Sequence, residues 1–119
     1  MVWRVVFHED FEAEFVGMTS SVRERLLAAT IVLAQFGPSL GRPTVDTLKG
    51  SAHANMKELR FKAADGVWRV AFAFDPRQDA ILLCAGDKSG IGSDRFYRSL
   101  IRRADDRYAR YIASGGGRR

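Results

Sequence analysis

The chain has 119 residues, a formal net charge of +5 and an apolar fraction of 46%, with a sequence pI of about 9.9. That length suits one domain, the apolar fraction suffices for a packed core and argues against disorder, and the apolar runs are too short for a membrane-spanning helix. The basic balance favours an anionic partner, nucleic acid first and an acidic protein second.

Val2–Phe7 (VWRVVF) is a β-branched and aromatic run, which predicts a strand at a sheet edge. Met1-Val2-Trp3-Arg4 leads straight into it without a leader pattern, so a cytoplasmic protein is expected. Acids then suit a first helical turn, and Phe11, Phe15 and Met18 recur at helical spacing, predicting a helix over Glu9–Met18. Ser21 with Glu24 forms a capping-box pattern for a second helix. Its apolar face is Val22, Leu26, Ala29, Leu33 and Phe36, and Gly37-Pro38 stops it. The two helices read as a hairpin that covers one face of a sheet.

Ser39–Asn55 is a polar connection, long for a loop in a compact domain. It carries Asp46, Lys49 and His53, with Val45 and Leu48 as anchors. Three extended runs follow: Lys57–Lys62, Val67–Phe74 and Ala80–Ala85, separated by Ala64-Asp65-Gly66 and by Asp75-Pro76-Arg77-Gln78-Asp79. These predict an antiparallel meander. Because side chains alternate, Glu58, Arg60 and Lys62 share one face of the first run. Arg69 is the only charge in the second run, flanked by Val67, Ala71 and Ala73 on its own face. A cation placed there needs a partner, an anionic ligand or an open groove. The third run is apolar on both faces, which marks a central strand, and its single cysteine, Cys84, reads as a buried thiol.

Ser89–Ser93 is a turn with Ser93 as a helix cap, and Phe96, Leu100, Ala104, Tyr108 and Ile112 form an i, i+4 ladder. Asp94–Arg98 and Asp106–Arg110 are expected ion pairs on that helix. Residues 1–113 read as one domain, and SGGGRR (114–119) as a flexible tail. The predicted fold is α+β in the order β-α-α-β-β-β-α, a small antiparallel sheet with a helical hairpin on one face and a C-terminal helix.

The order of elements and several strings resemble the RelE/ParE toxin superfamily, in its phage-derived, HigB-like branch. The strings are Leu48-Lys49-Gly50, Glu58-Leu59-Arg60, Trp68-Arg69-Val70 and Gly86-Asp87-Lys88, followed by an aromatic-bearing helix with Phe96-Tyr97. The resemblance implies a toxin of a type II toxin–antitoxin pair that cuts mRNA in the ribosomal A site. It implies metal-free chemistry, in which a ribose 2′-OH attacks the adjacent phosphate and no cofactor takes part. It also implies a HigA-like helix-turn-helix antitoxin as partner. By resemblance Arg69 stabilises the phosphate and Lys88 neutralises charge or acts as acid. Asp46 and Glu58 are rival general bases, and Lys49, Lys57, Arg60, Lys62 and Tyr97 contact RNA. Two lysines that some relatives carry in the first meander strand are absent, with Met56, Lys57 and Glu58 there instead. A C-terminal His-Tyr is absent too. A second implication of the shared fold is a ParE-like inhibitor that binds DNA gyrase without catalysis.

Overall fold

The computed structural model describes residues 2–64 and 66–116. Along the chain lie β1 (Val5–Phe7), α1 (Glu9–Val16), α2 (Ser20–Phe36), a 3-10 turn (Gly37–Ser39), β2 (Val45–Thr47), β3 (Lys57–Ala63), β4 (Gly66–Phe74), β5 (Ala80–Asp87) and α3 (Ser93–Ala113). The strands form one sheet in the order β1-β5-β4-β3-β2. β2 through β5 pair antiparallel, while β1 runs parallel to β5 at the edge. The α+β class and the meander match the expectation. The sheet is mixed, and it gains β2 from within the 39–55 connection. Three residues are too few for alternation to show. β2 exists because its edge pairs with β3 and Val45 enters the core.

Both sheet faces bury apolar side chains. On one, Phe11, Leu26 and Leu33 of the helical hairpin pack on Leu59, Val70, Phe72 and Leu82. On the other, Phe96, Leu100, Ala104 and Tyr108 of α3 pack on Ala71, Ala73, Ile81 and Leu83. The face that carries Arg60 and Arg69, read from alternation, is thus not cationic throughout. The small side chains of Ala71 and Ala73 make room for α3, so the second face is apolar beneath the helix and polar beyond it. A bulge sharpens this division. Ala71 opposes Cys84 and Phe72 opposes Leu82, which leaves Leu83 as the extra residue. Leu83 and Cys84 therefore both reach the α3 core. Burial pushes the Cys84 thiol up to about 11, so it is an inert core group. Each large aliphatic side chain buried in these layers contributes roughly 1.5–3 kcal/mol.

The ends of the helices differ in detail from the sequence expectation. The Thr19 hydroxyl, not a Ser21 box, caps α2 by accepting from the Val22 amide at 3.3 Å. His8 caps α1, its Nδ1 accepting from the Asp10 amide at 3.1 Å. Gly92 precedes α3 and Ser93 is already helical. Asp106–Arg110 pairs at 3.1 Å, whereas no Asp94–Arg98 pair forms. The β4–β5 turn is built by buried Asp75. Its Oδ1 accepts from the Arg77 and Asp79 amides, and its Oδ2 accepts from the Tyr111 hydroxyl at 2.9 Å. Burial, and then this bond, hold the Tyr111 hydroxyl up at about 12. Asp65 of the expected first turn lies outside the described residues, as do residues 117–119 of the expected tail. Ser114, Gly115 and Gly116 donate backbone hydrogen bonds to Arg110, Ile112 and Tyr111. Among the described residues no helix is long and apolar enough to cross a membrane.

Candidate active site

The polar part of the α3 face is set by strand register. Asp46 of β2 opposes Glu58 of β3, Glu58 opposes Ala71 of β4, and Arg60 opposes Arg69. Directly opposed residues share a face. Asp46, Glu58, Arg60 and Arg69 therefore point to the side on which α3 lies. Tyr97, one residue past the buried Phe96, hangs from α3 over this group.

Its hydroxyl closes a chain of hydrogen bonds. Arg69 Nε donates to Tyr97 Oη at 2.7 Å, and Tyr97 Oη donates to Glu58 Oε1 at 2.8 Å. Arg60 Nη2 donates to Glu58 Oε2 at 3.0 Å. One carboxylate thus holds two guanidiniums, one directly and one through a phenol. Glu58 is almost wholly buried, with 4% of its side chain exposed, so its charge requires these partners. Burial, and then the bond to Glu58, raise the Tyr97 hydroxyl above its ordinary pKa, while Arg69 opposes that shift. The same carboxylate, through its hydrogen bond, raises Arg60 further. Arg69 Nη1 donates to the Val67 carbonyl at 3.0 Å. Its guanidinium carbon lies 5.9 Å from the ring centres of both Phe96 and Tyr97. Among the described residues its Nη2 has no protein acceptor.

Arg69 is fixed rather than sealed. It lines an open groove of about 290 Å³ together with Gly66, Val67, Asp87, Lys88 and Ser89. On the other side of Tyr97 a groove of about 390 Å³ is lined by Asp46, Lys49, Glu58 and Arg60. Asp46 is the more accessible carboxylate, with 35% of its side chain exposed. Its Oδ2 lies 3.8 Å from Arg60 and 3.7 Å from Arg42. The site is thus a row of cations with two acids and a phenol between them, open to solvent on both flanks. A phosphodiester meets fixed positive charge here, with proton acceptors within reach of its ribose.

The structure gathers most of the residues singled out in the sequence. Arg69, Glu58, Arg60, Asp46 and Tyr97 form the hydrogen-bonded and ion-paired group. Lys88 and Lys49 line its two flanking grooves. Lys62 shares the face by alternation and is exposed at its margin, opposite Val67. Lys57 does not join them. It opposes Phe72, whose side chain lies in the helical-hairpin core, so it falls on the other face. His53 packs edge-on against Tyr108, 4.8 Å between ring centres, and is no part of the site. Tyr108 is itself core. Two residues beside the site carry no site role in the sequence reading: Arg98, named there only as an ion-pair partner of Asp94, and Arg102 on α3. The spacing of those two arginines, four apart and beginning directly after Tyr97, was the available signal.

With this geometry in place, comparison with known proteins is direct. Residues 13–109 match the family described as phage derived protein Gp49-like, and the chain belongs to that family. It is 42% identical over 106 residues to putative toxin HigB2 of Mycobacterium tuberculosis, covering 88% of this chain and 52% of that protein. It is 40% identical over 115 residues to putative toxin HigB3 of the same organism, covering 95% of this chain and 98% of that one. The chain thus spans about half the length of the first relative and nearly all of the second. Its fold is similar to that of a free-state mutant of the E. coli toxin RelE, with a TM-score of 0.59 at 16% identity. That match covers 86% of this chain and 96% of the other.

Proposed function

We propose that this chain, working as a single folded unit, is the toxin of a toxin–antitoxin pair and an endoribonuclease that cuts mRNA in the ribosomal A site. The observation that carries this reading is the Arg69–Tyr97–Glu58–Arg60 chain between two open grooves. In-line attack by a ribose 2′-OH on the adjacent phosphorus forms a cyclic 2′,3′-phosphate and breaks the bond to the 5′-oxygen. Negative charge builds on the non-bridging oxygens, and fixed cations stabilise it without reorganising. Arg69 and Lys88 supply them from one side. Asp46 takes the 2′-OH proton, because its carboxylate is the accessible one. The leaving 5′-oxygen takes a proton from Lys88. Glu58 has both oxygens engaged, so it serves as the positioning group for Arg69, Arg60 and Tyr97. The scheme asks nothing of a metal ion.

The antitoxin is proposed to be a HigA-like helix-turn-helix protein with an acidic segment that meets the cationic grooves, and toxin and mRNA to meet in the cytoplasm. Induced expression of the wild type is expected to arrest growth and to leave cuts within A-site codons. Cleavage of programmed ribosomes by purified protein should persist in EDTA where the Mg²⁺ that ribosomes need is replaced by polyamines. Arg69→Ala should relieve both arrest and cleavage. Arrest that persists with DNA-damage signalling and intact mRNA would favour the gyrase-binding reading and overturn this one.

A further inference from the structure

The connection that the sequence marks as long is tied down against α3. Ser51 Oγ donates to Asp105 Oδ1, and the Ala52 amide donates to Asp105 Oδ2 at 2.9 Å. His53 stacks edge-on against Tyr108 one turn further along the helix. Gly50, with φ +97°, lets the backbone turn close to Ile101, whose Cδ1 would lie 3.9 Å from an added Cβ. The loop therefore stands as a wall against the middle of α3, from Ile101 to Tyr108. Between wall and helix runs a groove of about 530 Å³, lined by Lys49, Asp94, Tyr97, Arg98, Ile101 and Arg102.

Three cations converge there. Arg98 and Arg102 lie four apart on α3 and are exposed, and Lys49 faces them from the wall. None of the three forms an ion pair among the described residues. Tyr97 and Ile101, also four apart, supply its apolar lining, and Asp94 is the one acid that lines it. This groove shares Tyr97 and Lys49 with the Asp46–Glu58–Arg60 groove, so the two are continuous. A single strand of RNA presents a phosphate every nucleotide and a flat base between phosphates. Stacking of bases on side chains with charge along the backbone is how single strands are held without sequence readout.

We propose that the groove between the Lys49–His53 loop and α3 is a subsite for single-stranded RNA flanking the cleaved bond. Arg98, Arg102 and Lys49 take the phosphates, and one base lies on Tyr97 and Ile101. The inference rests on the ribonuclease reading and adds the track along which the strand leaves the reacting phosphate. Continuity with the site favours RNA over an acidic peptide, which needs no apolar lining between its charges.

The test is binding of fluorescent, 2′-O-methylated RNA, two or eight nucleotides long, to the full chain across a salt series. Arg98→Ala/Arg102→Ala is expected to weaken the octanucleotide about 10-fold, to leave the dinucleotide within about 2-fold, and to lower the salt slope by about 0.7 per lost phosphate contact. Arg98→Lys/Arg102→Lys should restore most of the affinity, and Arg25→Ala on α2 should change nothing. On programmed ribosomes the double alanine variant should raise KM with kcat within about 2-fold. Equal losses for both RNA lengths, or an unchanged octanucleotide affinity, would overturn the subsite. So would a double variant that loses only capture of an acidic antitoxin peptide, which would make the groove a protein site. The two readings fail separately. A wild type that binds RNA with the stated length dependence but cuts nothing sinks the nuclease, and normal cutting with no length dependence sinks only the groove.

Discussion

α3 carries arginines along its whole length, and its two halves treat them differently. In the last three turns, Arg107 is locked to Glu14 of α1 by two bonds of 2.8 and 2.6 Å and donates to the Leu83 carbonyl at 2.8 Å. Arg110 meets Asp10 at 2.7 Å and Asp106 at 3.1 Å. Asp10 and Glu14 are both held below their ordinary pKa, each chiefly by its hydrogen-bonded arginine. In the first half, Arg98 and Arg102 meet no acid, and Arg69 beneath them is restrained through a phenol. The same side chain thus serves as a strap at one end and as an open charge at the other. A net charge of +5 does not say where charge is available. Arrangement does.

Mutation of each end breaks the comparison in a different observable. Arg69→Ala should cost most, about 10²–10³-fold in cleavage by analogy with the loss of one fixed oxyanion donor, with a modest loss of thermal stability because Glu58 keeps Arg60 and Tyr97 as partners. Single-turnover cleavage checks it. Asp46→Asn is expected to lower kcat about 10²-fold with KM little changed, the mark of a lost general base. Glu58→Gln frees two guanidiniums from their common carboxylate, so it should lower kcat and also the melting temperature.

Arg107→Ala should reverse that pattern, costing about 2 kcal/mol of stability by denaturant titration with RNA affinity intact. The Glu14 carboxyl is held low when folded, so the contribution of this link is complete above about pH 4.5 and fades as the solution is acidified through the lower folded value. Tyr111→Phe should cost least, about 1 kcal/mol. The Tyr111 hydroxyl titrates near 12 when folded, against 10.0 in an unperturbed phenol. Its contribution is therefore full below pH 10 and is lost as pH rises towards 12. In the phenylalanine variant that alkaline loss should shrink.

How much of this was legible in the residues follows from the length of each signal. The meander and the helical hairpin announced themselves because alternation and the i, i+4 stripe repeat enough times to be read. β2 did not, since three residues carry no period and its existence depends on a partner strand. Arg69 stood out because a charge among apolar neighbours demands a reason. Its partners did not, because the register that sets Glu58 beside Ala71 and Arg60 beside Arg69 is a property of two strands. The bulge at Leu83 is the same kind of fact. Of the partner, ligand or groove that a cation at Arg69 demands, the strands beside it supply the first, in Glu58, which it shares with Arg60, itself also near Asp46.

One small feature governs where the Arg69 guanidinium sits. Arg69 stands directly across from Gly86, and Phe96 fills the space a side chain at 86 would occupy: an added Cβ would lie 2.9 Å from the Phe96 ring. Phe96 in turn seats Tyr97. A single methyl at position 86 would press on the far edge of the Phe96 ring, and any shift of Phe96 reaches Tyr97 and its bond to Arg69. Such a chain would keep every charged side chain and lose the spacing between them.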